Sequence, residues 1–212
     1  MALDNFANLK ASIKKRSHRD DVSDDDLVDY INQAESEFYN NNIAPLRTRA
    51  MEARATASTS TTVRFLALPD RFLQMRRLKL NEPFTGGADY DLEYLAPEQM
   101  PLLNLTQTPT YFSVTTQLEF DTIPDQAYTT EMQYIQKIVA LDDTNSTNTL
   151  LTDFPNIYLF GGLWALYQDK DEPDQAEYYY NKFMGSIAGA NATDQAGRYG
   201  SAPYIRQEGY LP

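Results

Sequence analysis

Apolar positions concentrate in one run, Phe154 to Tyr167. Within it Phe160, Leu163, Trp164 and Tyr167 fall at i, i+3, i+4 and i+7, and Leu159 and Leu166 cover the adjacent flank. A helix with this pattern is apolar around most of its circumference and has to be surrounded. The run therefore predicts the central helix of a small bundle, with Trp164, the only tryptophan, as its core filler. Thr152 or Asp153 is placed to cap its first amides, and Pro155 suits the first turn, where a missing N–H costs nothing. Gly161-Gly162 lets a neighbour come close. The run is shorter than the ~20 apolar residues that span a bilayer.

Three further helices emerge from the same periodicity. Phe6, Leu9 and Ile13 define one over residues 4 to 16, with Asp4 as its cap and a basic far end at Lys14, Lys15, Arg16 and Arg19 that complements the helix dipole. Ser23-Asp24-Asp25-Asp26 has the form of a capping box that opens a second helix. Leu27, Ile31, Ala34 and Phe38 make its buried stripe, and Asn40 to Asn42 with Pro45 stop it. Asp171-Glu172-Pro173 starts a last helix with Ala176, Tyr179, Tyr180, Phe183 and Ile187 on one face.

Between the second and the central helix the period changes to two. From Thr56 the chain is rich in Thr and Ser, and Thr61, Val63 and Phe65 alternate with Thr62, Arg64 and Leu66 as in a strand. Further strands are predicted around Leu78 to Leu80, Leu92 to Tyr94, Tyr111 to Thr115, Leu118 to Thr122 and Tyr128 to Ile138, with a turn at Gly86-Gly87 and a helical turn or two in 96 to 105. The order helix, helix, sheet, helix, helix predicts an α+β fold. Residues 1–55 and 141–197 form a four-helix bundle, residues 56–140 an inserted antiparallel β module, and residues 198–212 an extended C-terminal arm. In that arm Gly200, Pro203 and Gly209 oppose a helix, yet Tyr199, Tyr204, Ile205, Tyr210 and Leu211 are wasted in water. An arm that docks on a partner through these side chains and Arg206 fits both facts.

Charge and chemistry narrow the function classes. The net charge of -12 disfavours wrapping a phosphate backbone, which needs clustered Lys and Arg. Seven arginines between Arg47 and Arg77 thread a helix end and strands, and ion pairing with the chain's own carboxylates or those of a neighbouring subunit is their ordinary role. No cysteine is present, which removes disulfides, thiolate metal sites and Cys nucleophiles. The N-terminal stretch has no apolar run like a signal peptide, so no secretion is expected. The acidic stretch from Asp20 fails as a calcium loop, because Val22 sits at its third position and the turn glycine is missing. The one histidine, His18, lies beside Ser17 in a basic helix end, remote from any apolar pocket, and carboxylates such as Asp142-Asp143 sit in a polar loop where they stay solvated. No enzyme, metal or cofactor is expected. Fifteen tyrosines favour protein interfaces.

Three motifs then carry a family likeness. Arg-Ala-Met-Glu at Arg49 to Glu52, Leu-Pro-x-x-Phe-Leu-x-Met-Arg-Arg-Leu at Leu68 to Leu78, and Asp-x-Pro-x-x-Tyr-Leu-x-Gly at Asp153 to Gly161 stand in order along the chain. The sequence resembles the head-to-tail adaptor proteins of short-tailed bacteriophages. It departs from them between Glu37 and Leu46, where Asn40 to Asn42 and Pro45 interrupt what the family tends to keep helical. The resemblance implies a non-catalytic virion protein of the head–tail junction, assembled in the host cytoplasm. It implies a homo-oligomeric ring, usually of twelve subunits, under the portal protein, and attachment to a tail nozzle or tail tube protein. DNA passes such a ring without sequence-specific binding, and no membrane is involved. Two other classes stay open: a monomeric helical scaffold that captures a peptide in its groove, and a hydrolase built on an unrecognised carboxylate pair.

Overall fold

The computed structural model describes residues 3–41, 43–82, 87–101 and 103–199. The chain divides into two compact units, residues 1–50 with 138–212 and residues 51–137, and the fold is mixed α+β. Among the described residues every α-helix belongs to the first unit and every strand to the second.

Among the described residues the helical unit contains five α-helices, not the four expected. α1 (Phe6–Ser17) is capped by Asn5, whose side chain accepts from the Asn8 amide at 2.9 Å, and Asp4 instead accepts from the Asn8 side chain at 2.6 Å. α2 (Asp24–Asn40) opens on the capping box, with Asp26 N–H to Ser23 Oγ at 3.1 Å and Ser23 N–H to the Asp26 carboxylate at 2.9 Å. Its stripe of Leu27, Ile31, Ala34 and Phe38 is fully buried. Asn41 ends it by accepting from the Ile43 and Ala44 amides at 2.7 and 3.1 Å.

α3 (Thr149–Asp153) is the unexpected helix. Asn148 caps it at 2.8 Å through the Leu151 amide, so Thr152 and Asp153 belong to α3 and do not cap the next helix. α4 (Pro155–Asp169) starts at Phe154 with no side-chain cap, and Pro155 occupies the first turn. It is the central helix. A Cβ on Gly161 would meet the Ala34 Cβ at 2.7 Å and the Phe183 ring at 3.0 Å, and one on Gly162 would meet Ile13 Cδ1 at 2.5 Å. Two glycines thus let α1, α2 and α5 approach α4 closely, as a packed interior requires.

α5 (Pro173–Tyr199) is longer than the sequence pattern predicts. Arg198 and Tyr199, expected in an extended arm, end this helix. Phe183, Ile187 and Ala190 form its buried face. Near its far end Arg49 donates to Asp194 at 3.0 Å and lies 3.1 Å from where a Cβ of Gly197 would stand. The first family motif therefore supplies a brace for the last turns of α5.

The β unit holds two four-stranded sheets. One has the order β1 (Glu52–Ser58), β8 (Thr129–Gln136), β3 (Phe72–Asn81), β4 (Asp89–Asp91), all antiparallel. The other has the order β2 (Phe65–Leu66), β7 (Leu118–Phe120), β6 (Tyr111–Val114), β5 (Glu93–Tyr94). β5 and β6 pair in parallel, which corrects the purely antiparallel expectation. β3 carries bulges between Phe72 and Gln74 and between Met75 and Arg77. Leu78, Leu80, Phe112, Phe120, Met132 and Tyr134 form the core of this unit.

β1 begins within residues assigned to the helical bundle, four residues before the expected start of the β module at residue 56; Ala53, Ala55 and Ala57 pack partly buried against that core while Glu52, Arg54, Thr56 and Ser58 face out. The strand predicted over 61 to 66 shrinks to Phe65–Leu66. A short 3-10 turn, Pro97–Gln99, stands where helical turns were expected. The predicted Gly86-Gly87 turn lies partly outside the described residues.

Candidate docking groove

α4 is apolar all round, but its neighbours cover only part of it. Leu159, Leu163 and Leu166 are fully buried, whereas Phe160 and Trp164 stay partly exposed on the remaining flank. Trp164 is thus not the core filler the sequence predicts. Its ring stacks on Phe183 at 6.0 Å between centroids and lies 5.4 Å from the Tyr180 ring. The cause is the position of α5, which approaches α4 over Gly161 and leaves the Trp164 side open towards the α4–α5 turn.

That open side is a groove of about 740 Å³. Its apolar wall is Trp164, Tyr167, Pro173, Ala176 and Tyr180. Its polar rim comes from α2 through Glu37, from the turn through Asp171 and Glu172, and from α5 through Glu177. The turn is tight. Asp171 takes a left-handed φ of 55°, and the Glu172 amide donates back to the Tyr167 carbonyl at 3.0 Å. Tyr30 donates to Asp169 at 2.7 Å and Gln33 to Gln168 at 3.1 Å, tying α2 to the end of α4. Burial, then the hydrogen bond to Asp169, pushes the Tyr30 hydroxyl far up, so it remains a donor.

The groove's aromatics are held in place before any ligand arrives. Tyr167 and Tyr179 stack at 5.4 Å with planes 3° apart, and the Tyr180 hydroxyl accepts from Asn41 Nδ2 at 3.0 Å. Outside the groove Lys182 lies over the rings of Tyr178 at 4.4 Å and Phe160 at 5.4 Å. Of the rim carboxylates Glu172 is bonded to Arg19, which also approaches Asp21 at 3.6 Å. Among the described residues Glu37, Asp171 and Glu177 enter no ion pair.

The residues singled out from the sequence fall elsewhere. Tyr199 is the last residue of α5, while Tyr204, Ile205, Arg206, Tyr210 and Leu211 lie outside the described residues. His18 is exposed at the left-handed C-cap of α1, and the Ser17 hydroxyl is spent on the Lys14 carbonyl at 2.9 Å. Arg77 makes a bidentate pair with Asp91 at 2.7 and 2.8 Å, Arg54 reaches Glu131 at 3.6 Å and Arg76 reaches Glu52 at 3.7 Å. These arginines do pair with the chain's own acids. Arg77 also holds the Asp91 carboxyl below the usual carboxylate range through that hydrogen bond. Among the described residues no cluster of His, Asp and Glu is arranged to hold a metal ion, and no helix is long and apolar enough to cross a membrane.

Of the motif residues, Arg49 braces α5, Arg77 pairs with Asp91, and Leu78 and Tyr158 are buried, so these motifs hold the fold together. A family model described as SU10 adaptor protein matches residues 4–206. The chain belongs to the SU10 adaptor protein family, in agreement with its resemblance to head-to-tail adaptors. No curated protein matches the chain.

Proposed function

We propose that this protein is a structural adaptor of the phage virion. It forms a ring of twelve subunits beneath the portal, extends the DNA channel and gives a tail nozzle or tail tube protein its mounting surface. It assembles in the host cytoplasm and acts by assembly, not by catalysis. The observation that carries the reading is the family match across residues 4–206. The net charge of -12 supports it, because an acidic channel wall repels phosphate and lets DNA slide without sticking. The C-terminal residues Tyr199, Tyr204, Ile205, Arg206, Tyr210 and Leu211 contact the portal or an adjacent subunit in this scheme.

The test is electron microscopy of the purified protein mixed with its portal, with sedimentation of each alone. The expected result is a closed ring on one face of the portal, with the free subunit largely monomeric. A subunit that stays monomeric in the presence of portal overturns the reading.

A further inference from the structure

We propose that the groove between α2, α4 and the start of α5 is a docking site for a segment of a partner protein that brings an aromatic or aliphatic side chain with an Arg or Lys beside it. The proposal goes beyond the adaptor reading, since it holds whether or not the subunits close into a ring. Three observations carry it. The first is the apolar demand of α4: the flank bearing Trp164 is covered only in part, by Phe183 and Tyr180 of α5, and a half-buried tryptophan in a concave site is the residue type that anchors interfaces. The second is order. Tyr167 and Tyr180 are already fixed by stacking and by Asn41, so a ligand meets rings that lose little freedom on binding.

The third is charge, and it selects the occupant. Glu37, Asp171 and Glu177 ring the aromatic wall without a cation of their own among the described residues. Asn41 donates to Glu37 at 2.9 Å, but a purely apolar ligand leaves all three carboxylates without a cation, and a phosphate-bearing one is repelled. A guanidinium or ammonium next to an apolar side chain satisfies both parts of the surface, the cation at the carboxylates and the stem and neighbour against Trp164. The chain's own residues 200–212 carry Tyr204, Ile205 and Arg206 in a row, but Glu208 two residues on offsets the charge, so a partner segment with an uncompensated cation answers the rim better. At about 740 Å³ the groove takes a few side chains and their backbone, so a short segment suffices.

The experiment uses the full chain and its single tryptophan, which sits in the groove and makes fluorescence a direct readout. A short random peptide library lacking tryptophan is selected on the immobilised protein, and the enriched peptides are synthesised and titrated. The expected peptides carry Arg or Lys next to Phe, Tyr or Leu and shift the Trp164 emission. The double variant Asp171→Asn with Glu177→Gln keeps its melting temperature and binds them roughly threefold to thirtyfold more weakly, and added salt weakens the parent in the same sense. A selection that yields no peptide able to shift the emission overturns the proposal. So does equal binding by peptides without a cation, or undiminished binding by the double variant. A synthetic peptide of residues 200–212 that binds as tightly reassigns the groove to the chain's own segment. A concentration-dependent emission shift that tracks self-association in sedimentation reassigns it to a second copy. None of these outcomes depends on portal binding, so this proposal and the adaptor reading can fail separately.

Discussion

The two flanks of α4 are alike in sequence and opposite in use. On one, Leu159, Leu163 and Leu166 are fully buried, with Gly161 and Gly162 admitting Ala34, Phe183 and Ile13. On the other, Phe160 and Trp164 are no less apolar, yet stay partly exposed beside a groove rimmed by carboxylates. The largest side chain of the helix is on the less covered side. Apolarity along a helix reports how much cover it needs and not which neighbour supplies it. The small residues decide that, because three helices close on the glycines and α5 covers the bulky flank only in part.

The inner flank should break first and hardest. Leu163→Ala removes a fully buried side chain from the packed side of α4 and is expected to cost about 2 to 5 kcal/mol, read by urea unfolding. Gly161→Ala comes next. Its new Cβ stands 2.7 Å from the Ala34 Cβ, so α2 has to move, and the expected loss of about 1 to 3 kcal/mol exceeds the ~1 kcal/mol that Ala gains over Gly in a helix. Gly185→Ala in α5 is the control. It is exposed with no described atom within 4 Å of its new Cβ, and it should stabilise by up to ~1 kcal/mol. Equal effects of the two glycine changes on the melting temperature contradict the role given to Gly161.

Trp164→Ala ranks third. A fully buried aromatic costs ~3 to 5 kcal/mol on truncation, and the core reading from sequence demands that figure. Because Trp164 is half-buried and rests chiefly on Phe183 and Tyr180, the expected loss is about 1 to 2 kcal/mol. A loss at the upper figure in urea unfolding restores Trp164 to the core and removes the contrast between the flanks.

Legibility in the sequence divides along the same line. The stripe of α2 and its capping box were legible because Leu27, Ile31, Ala34 and Phe38 keep strict helical spacing and Ser23 to Asp26 is a local signal. β1 was not. Ala53, Ala55 and Ala57 are good helix formers, and only pairing with β8 makes them a strand, a tertiary override of local preference. The parallel pairing of β5 and β6 is likewise a matter of topology, which a strand's own residues do not encode. The end of α5 was placed early because Gly200, Pro203 and Gly209 oppose a helix, while Arg49, far away in sequence, braces its last turns through Asp194. Of the groove, the aromatic wall was visible as Trp164 and the tyrosines of α5. Its openness was not, since it depends on where α5 crosses α4.

The smallest effect concerns a polar link on the packed side and separates two neighbouring glutamates of α2. Glu37 lines the groove, whereas Glu35 turns inward and accepts from the Tyr158 hydroxyl and the Leu141 amide, each at 2.9 Å. Burial, opposed by those two hydrogen bonds, holds the Glu35 carboxyl above its ordinary value. Burial and the Glu35 charge push Tyr158 well up, so it stays a donor, and Asn148 donates to its oxygen at 2.7 Å. A carboxyl whose pKa is raised on folding contributes stability that is fully present below its unfolded value, about 4.3. That contribution is lost as pH rises through the folded value. Glu35→Gln keeps an oxygen for both donors and removes the buried charge. The variant should therefore lie within ~1 kcal/mol of the parent, gain on it as pH rises above the unfolded value, and level off once pH has passed the raised folded value. Urea unfolding of both proteins at several pH values gives the difference, in which the many other carboxylates cancel. A difference that does not change with pH shows that Glu35 titrates as it does in the unfolded chain, and the packed flank of α4 then ends short of this residue.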